Sequence, residues 1–318
     1  MLKHMFLLAA IGCLFTACRK TLSTADAAFD VTIEKTTLAL GDTTRFSFTA
    51  NPDVITFYSG EVGKRYEYRN RISADGTPLL RFRTIRANGS QANSLTLLVS
   101  NNFESVLVSD TTTTITRINN ATWTDITARA TLSTGAAGAV ASGDIDLSDF
   151  SAQGKPVFMA FKYLGIAGSA QNKWTIDSFT VRNMLPDGTA YVNANMNGYN
   201  VSYTNYGVTT FSPGFFACKV ANSYNWSVGA TSLVITGATS AAAATAPAEA
   251  WVIMGPLDLK KVTPDIGIPV KNASQKADDL KYNYMYTATG KYNAVFTGGK
   301  ISLRESQYTT KPVQIIVQ

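Results

Sequence analysis

The sequence predicts an all-β protein built as two β-sandwiches, one inserted in the other. Three observations carry that prediction. After residue 28 no long stretch holds the helical hydrophobic period, whereas short runs alternate apolar and polar residues as half-buried strands do. Thr, Ser, Asn, Tyr and Val dominate outside the candidate core, and β-branched and aromatic side chains suit a pleated surface. At 318 residues, 45% apolar and 16% charged, the chain is globular in composition. It is also longer than one hydrophobic core usually organises.

The amino terminus is a separate matter. Met1-Leu2-Lys3-His4 is a short positive start, and Met5 to Ala17 is nearly unbroken apolar sequence, stopped by Cys18 and Arg19-Lys20. That run is shorter than the roughly 20 residues a membrane-spanning helix needs, and residues 1–17 read as a signal peptide. Leu14-Phe15-Thr16-Ala17-Cys18 resembles the bacterial lipobox, with Phe15 in place of the usual Leu. Cys18 is therefore the expected lipidation site, its acyl chains holding the protein to a membrane. Ala10-Ile11-Gly12-Cys13 is a competing match, but cleavage there leaves a shorter apolar region and an exposed apolar tail. Residues 18–28 are small and polar, as a flexible tether would be. The expected location is the outer membrane, at its cell-surface or periplasmic face.

The strands follow in order. Phe29 to Ile33 alternates, Leu38 to Leu40 leads into the Gly41-Asp42 turn, and Arg45 to Phe48 alternates again before Asn51-Pro52-Asp53 and the run Val54 to Tyr58. These are too few strands for an immunoglobulin-like sandwich, which needs around seven. Tyr282 to Tyr286, Lys291 to Phe296 and Val313 to Val317 supply three more, so residues 29–72 and 264–318 are expected to form one split sandwich. The insert, residues 73–263, has its own strands at Leu80 to Ile85, Ser94 to Val99, Val106 to Val108 and Ala121 to Thr127. After a loop at Asp144 to Phe150 come Val157 to Tyr163, Trp174 to Val181, Ser232 to Thr236 and Ala250 to Met254. The alanine-rich stretch Gly237 to Glu249 is interrupted by Thr239, Ser240, Thr245 and Pro247, and reads as a loop or partial helix.

Several resemblances rest on these residues. The spacing Tyr286, Gly290, Tyr292 resembles the closing strands of PKD-type immunoglobulin-like modules. The order of tryptophan strand, Asp-Leu-Ser turn, apolar strand and Trp174-Thr175-Ile176-Asp177 resembles galactose-binding-like jelly rolls. Pro52 to Gly63, Leu95 to Ser100 before Asn102-Phe103, Trp123 to Thr127 and the Trp174 strand together resemble a family of Bacteroidota lipoproteins, that of domain of unknown function 5017. The likeness covers much of the chain, and Phe57 to Gly63 is its most specific part. It implies an accessory lipoprotein of an outer-membrane nutrient-uptake system, with a transporter complex as a partner. It implies no catalytic residues.

Residue inventory narrows the chemistry. His4 is the one histidine and lies in the signal peptide, so a mature chain has no Ser-His-Asp or Cys-His nucleophile system and no histidine-ligated metal. Cys218, in the apolar run Phe215 to Val220, reads as a buried inert thiol. The net charge is +6, with basic residues concentrated at Lys64, Arg65, Arg69 and Arg71 and at Arg81, Arg83 and Arg86. Arg81 and Arg83 share one strand face with Phe82 on the other. That face is either simply solvated or attractive to anionic polysaccharide or lipid headgroups. Nucleic acid is not an expected partner.

Tyr191 to Trp226 interleaves aromatic residues with asparagines, a combination that can stack on a sugar ring and satisfy its hydroxyls. The glycan-binding candidates are Trp123, Tyr191, Tyr199, Tyr203, Tyr206, Tyr224 and Trp226. The alternative is tyrosines covering sheet edges and asparagines making turns. Asp144, Asp146 and Asp149 place three carboxylates in one loop, where they could hold a structural calcium or merely start turns. No other cofactor is expected. Asp53, Glu61, Asp177 and Glu249 are nominal acid–base candidates, with nothing in the sequence to pair any two of them. The expectation is a non-catalytic, glycan-binding envelope lipoprotein. The alternatives are a structural or assembly component contacting another outer-membrane protein and, third, a carboxylate-dependent glycosidase.

Overall fold

The computed structural model describes residues 29–49, 52–135, 138–196, 202–275, 280–302 and 305–318, with the side chains of residues 202 and 203 left out. The expected signal peptide and tether, with Cys18, lie outside the described residues, as do Tyr199 and the side chain of Tyr203. The chain divides into two compact units, Met1–Asn70 with Pro264–Gln318, and Arg71–Thr263. No helix among the described residues is long and apolar enough to cross a membrane.

The described residues open with β1 (Asp30–Ile33), β2 (Thr37–Leu38), β3 (Thr43–Thr49) and β4 (Val54–Tyr58). It then enters the second unit with β5 (Thr77–Ala87), β6 (Leu95–Ser100), helix α1 (Thr111–Asn120), β7 (Thr124–Asp125), β8 (Val140–Ala141) and β9 (Ile145–Asp146). A single turn α2 (Ser148–Ser151) precedes the long β10 (Val157–Gly165) and β11 (Lys173–Met184) and the shorter β12 (Ala190–Asn195). Next come β13 (Ser202–Asn205), β14 (Val208–Phe211), β15 (Phe216–Ala221), β16 (Ser227–Val228), β17 (Ser232–Thr236) and β18 (Ala248–Leu257). The chain returns to the first unit with β19 (Ile268–Lys271), β20 (Lys281–Met285), β21 (Gly290–Ile301) and β22 (Ser306–Val317).

The first unit is an immunoglobulin-like sandwich of two sheets, ordered β1-β3-β20 and β19-β4-β21-β22-β2. Its alternating strands turn Phe46 from β3, Ile55 and Phe57 from β4, and Phe296 from β21 into one core, each fully buried. Their rings meet at close range: Phe57 to Phe296 at 4.5 Å and Phe46 to Phe296 at 4.8 Å. Each buried aromatic removes a large apolar area from water, and the stacked and edge-on ring contacts add to it. Strand β4, from the start of the chain, lies between β19 and β21 from its end. Gly298 is small for a packing reason, since a Cβ there would sit 2.4 Å from the ring of Phe29.

The second unit, the jelly roll inserted in the first, stacks a sheet ordered β15-β18-β10-β6-β7 on one ordered β16-β17-β11-β5-β8, with β12 added on β11 and β9 on β5. Phe82, Phe161, Ile176, Phe179 and Val252 fill the space between them. The outer face of the first of these sheets is buried as well. Leu98, Phe158, Cys218, Trp251 and Ile253 form a second cluster there, beneath Phe103, Val106 and Ile118. Burial on both faces is why β6, β10 and β18 read as continuous apolar runs rather than alternating ones.

Two expectations about elements fail. Val106 to Val108 forms no strand, and the unexpected helix α1 follows it. Its β-branched sequence is a poor helix former, but Asp110 caps it: Oδ1 accepts from the Thr113 N–H at 3.0 Å and Oδ2 from the Thr113 hydroxyl at 2.6 Å. Thr114 and Ile118 are then buried against the sheet. The strand expected over Ala121 to Thr127 shrinks to two residues, because Thr127 and its neighbours turn away in a 3-10 turn.

Candidate functional site

In the second unit, strand β12 lies at the edge of its sheet and the turn after β14 approaches the end of β18, leaving a cleft of about 210 Å³ between them. Met254, Pro213, Pro256 and Leu257 make an apolar floor; Asn193, Asn195, Asn205 and Ser212 bring polar groups, and Val192 stands at the wall with 57% of its surface exposed. Asparagine is used here for anchoring. The Asn205 amide nitrogen donates to the Gly214 carbonyl at 2.9 Å and the Gly255 carbonyl at 3.1 Å, tying the β13–β14 hairpin to β18. The Asn193 nitrogen donates to the Asp258 and Leu259 carbonyls, both at 3.3 Å. Ser212 Oγ donates to the Asn195 carbonyl at 2.8 Å. The described residues lining the cleft carry no ionisable side chain. A volume below the roughly 300 Å³ of drug-sized pockets suits a ligand about the size of one sugar ring.

The described aromatic candidates do not line this cleft. Trp226 is 4% exposed in the main core and donates its ring N–H to the Ala250 carbonyl at 3.2 Å, so it presents no face to a ligand. Tyr224 packs against the same core. Trp123 belongs to the other cluster, 5.2 Å from Trp251 and 5.3 Å from Phe103, with its N–H given to the Ile118 carbonyl. Tyr206 packs there too, in the turn between β13 and β14. Tyr191, on β12, accepts a hydrogen bond from Arg71 at 2.9 Å. The asparagines Asn193, Asn195 and Asn205 line the cleft, while Tyr206, Tyr224 and Trp226 of the same stretch pack into the sandwich.

Asp144, Asp146 and Asp149, which could hold a calcium or merely start turns, do not converge on one point among the described residues. Among the described residues no group of three or more acidic, cysteine or histidine side chains converges to hold a metal. Arginines have taken two of the three carboxylates. Arg129 grips Asp149 through two bonds of 2.9 and 2.7 Å, and its side-chain hydrogen bonds hold that carboxyl below the usual range. Asp144 lies 2.9 Å from Arg81 and 3.5 Å from Arg182. Asp146 accepts from the Ser148 N–H at the start of α2. The basic strand is matched likewise: Arg81 and Arg83 share the outer face of β5 with Phe82 buried behind them, and Arg83 forks Asp177 at 2.6 and 3.1 Å.

The nominal catalytic carboxylates are also separately engaged. Asp53 takes the Ile301 N–H at 2.8 Å and Lys300 at 3.1 Å, and Glu249 pairs with Lys162 and the Trp251 ring N–H. Glu61 accepts from the Ser59 hydroxyl at 2.8 Å and from the Tyr284 hydroxyl, while Tyr286 donates to the Ser59 carbonyl at 3.0 Å. Burial, then the charge of Glu61, pushes the Tyr286 hydroxyl far up, so it remains a donor. This network gives the Phe57 to Gly63 stretch a structural role: it closes a turn whose Gly60, at φ +85°, packs against the backbone of Asn293. Cys218 is 1% exposed and its thiol is pushed up to about 11 by burial.

No curated protein and no solved structure matches the chain. The model of one family, described as a domain of unknown function (DUF5017), matches residues 17–200. That span takes in β1 to β12, including the Glu61 turn and the β12 wall of the cleft, and the chain belongs to the DUF5017 family.

Proposed function

We propose that this chain is a non-catalytic lipoprotein of the cell envelope, anchored to the outer membrane through Cys18, that binds glycan as an accessory of a polysaccharide uptake system. The cleft of the second unit carries the reading. Its amide and hydroxyl groups stand over an apolar floor, and its described lining offers no carboxylate for general acid or base work. A sugar has the same two-sided chemistry, hydroxyls around a ring whose C–H face is apolar. Affinity electrophoresis of the full chain through gels containing single polysaccharides tests it. Retardation by at least one polysaccharide is expected, and unretarded migration through all of them would sink the proposal.

One observation favours the alternative, a scaffolding component that docks on another outer-membrane protein. In the first unit Val62 and Ile266 are 57% and 71% exposed, and the Ile266 N–H bonds the Gly63 carbonyl at 3.0 Å, so two bare apolar side chains stand on joined loops. Cross-linking in intact envelopes separates the two: a V62D/I266D double variant would lose a protein partner under this reading and keep glycan retardation under the first. A glycosidase gains no support from carboxylates that are each bound to different partners.

A further inference from the structure

We infer that the cleft accepts hydrogen-bond donors and selects a neutral, hydroxyl-bearing sugar unit against acidic or sulfated ones, although the chain as a whole is cationic. The inference rests on the glycan-binding reading above and adds the ligand's class.

The argument counts hydrogen-bonding capacity. A side-chain amide has two N–H donors and one oxygen that accepts twice. In Asn193 both donors point at carbonyls, those of Asp258 and Leu259, and Oδ1 accepts nothing among the described residues. In Asn205 both donors point at the carbonyls of Gly214 and Gly255, and among the described residues Oδ1 takes only the Tyr206 N–H at 3.0 Å, which leaves one lone pair. The orientation of each amide follows from its neighbours, because only nitrogen can face two carbonyls. Ser212 spends its single O–H on the Asn195 carbonyl, so its oxygen is left as an acceptor.

What these three side chains hold out is lone pairs. A sugar hydroxyl can donate to each of them. A carboxylate or sulfate has only lone pairs of its own, and in the cleft it would lose water without gaining a donor. The net charge of +6 draws anions toward the molecule at long range. The positive charges on the outer face of β5 are nonetheless matched by Asp144 and Asp177, and the described lining of the cleft has no cation. Local stereochemistry and the overall field therefore point to opposite ligands, and the short-range groups decide what stays bound.

The test is isothermal titration of the full chain with neutral polysaccharides (laminarin, galactomannan, xyloglucan) and acidic ones (polygalacturonate, chondroitin sulfate) at low and high salt. The expected result is binding of a neutral polysaccharide with an affinity that salt leaves unchanged, and acidic binding at least about tenfold weaker. N193L and S212A each remove an acceptor and should weaken neutral binding about tenfold. Val192 is exposed, so V192K should leave the fold intact. By placing a donor cation at the wall, it should raise acidic binding. Equal or tighter binding of the acidic polysaccharides by the unaltered chain would overturn the inference. So would neutral binding indifferent to N193L and S212A, which would put the glycan elsewhere and leave the broader proposal standing. Binding of no polysaccharide at all would remove both.

Discussion

Cys218 illustrates how a single side chain is set by what covers it. Lying against α1, its thiol keeps its proton up to about 11, whereas the unfolded chain would lose it near 9.0. The native protein should therefore resist thiol reagents at pH 8 and react fully in denaturant, a contrast that a colorimetric thiol titration measures. Because the folded value lies above the unfolded one, this residue's contribution to stability is complete below pH 9.0 and is lost as pH rises toward 11. A buried thiol was legible in the apolar run around it. Glu61 was not, because beyond its neighbour Ser59 its other partner lies far along the chain: the sequence marks the turn as distinctive, but only the fold brings Tyr284 to it. E61A should cost about 1–3 kcal/mol in urea denaturation by leaving part-buried hydroxyls without their acceptor. Activity assays of any kind are expected to be indifferent to it.

At the scale of elements, strands were legible wherever one pattern dominated: alternation in β3 and β4, near-continuous apolar sequence in β10 and β18. Helix α1 was hidden because its Thr-rich sequence has the composition of a strand, and its stability comes from one cap and a buried face. That dependence is testable. Hydrogen bonds from Thr113, the hydroxyl first and then the backbone, hold the Asp110 carboxyl below its ordinary 3.8. The cap's contribution is then full above pH 3.8 and fades as pH falls through the lower folded value. Thermal melts should find D110A less stable than the unaltered chain at pH 7, with the gap closing in acid. A pH-independent gap would show that the carboxylate is not what holds the helix. The cleft belongs to this scale too. Which asparagines face it depends on the bulge where β12 pairs with β11, between Val181 and Arg182, and no spacing rule gives a bulge's position in advance.

For the whole molecule, counting strands was enough to join the ends of the chain, since neither end alone could close a sandwich. The jelly roll between them has its own core, so residues 71–263 expressed alone should unfold cooperatively in denaturant. A featureless, non-cooperative melt would argue that it needs the flanking unit. The placement of β4 between β19 and β21, and of β2 beside Ile316 and Val317 of β22, also sets an order of events during biosynthesis. Strands β1 to β4 leave the ribosome before the insert, yet β19 and β21 beside β4, β20 beside β3 and β22 beside β2 are made only after it, a delay of roughly 10–40 s at ordinary elongation rates. Through that interval the open edges of β4 are an aggregation hazard, and whatever escorts the nascent chain must cover them until the last hairpin arrives.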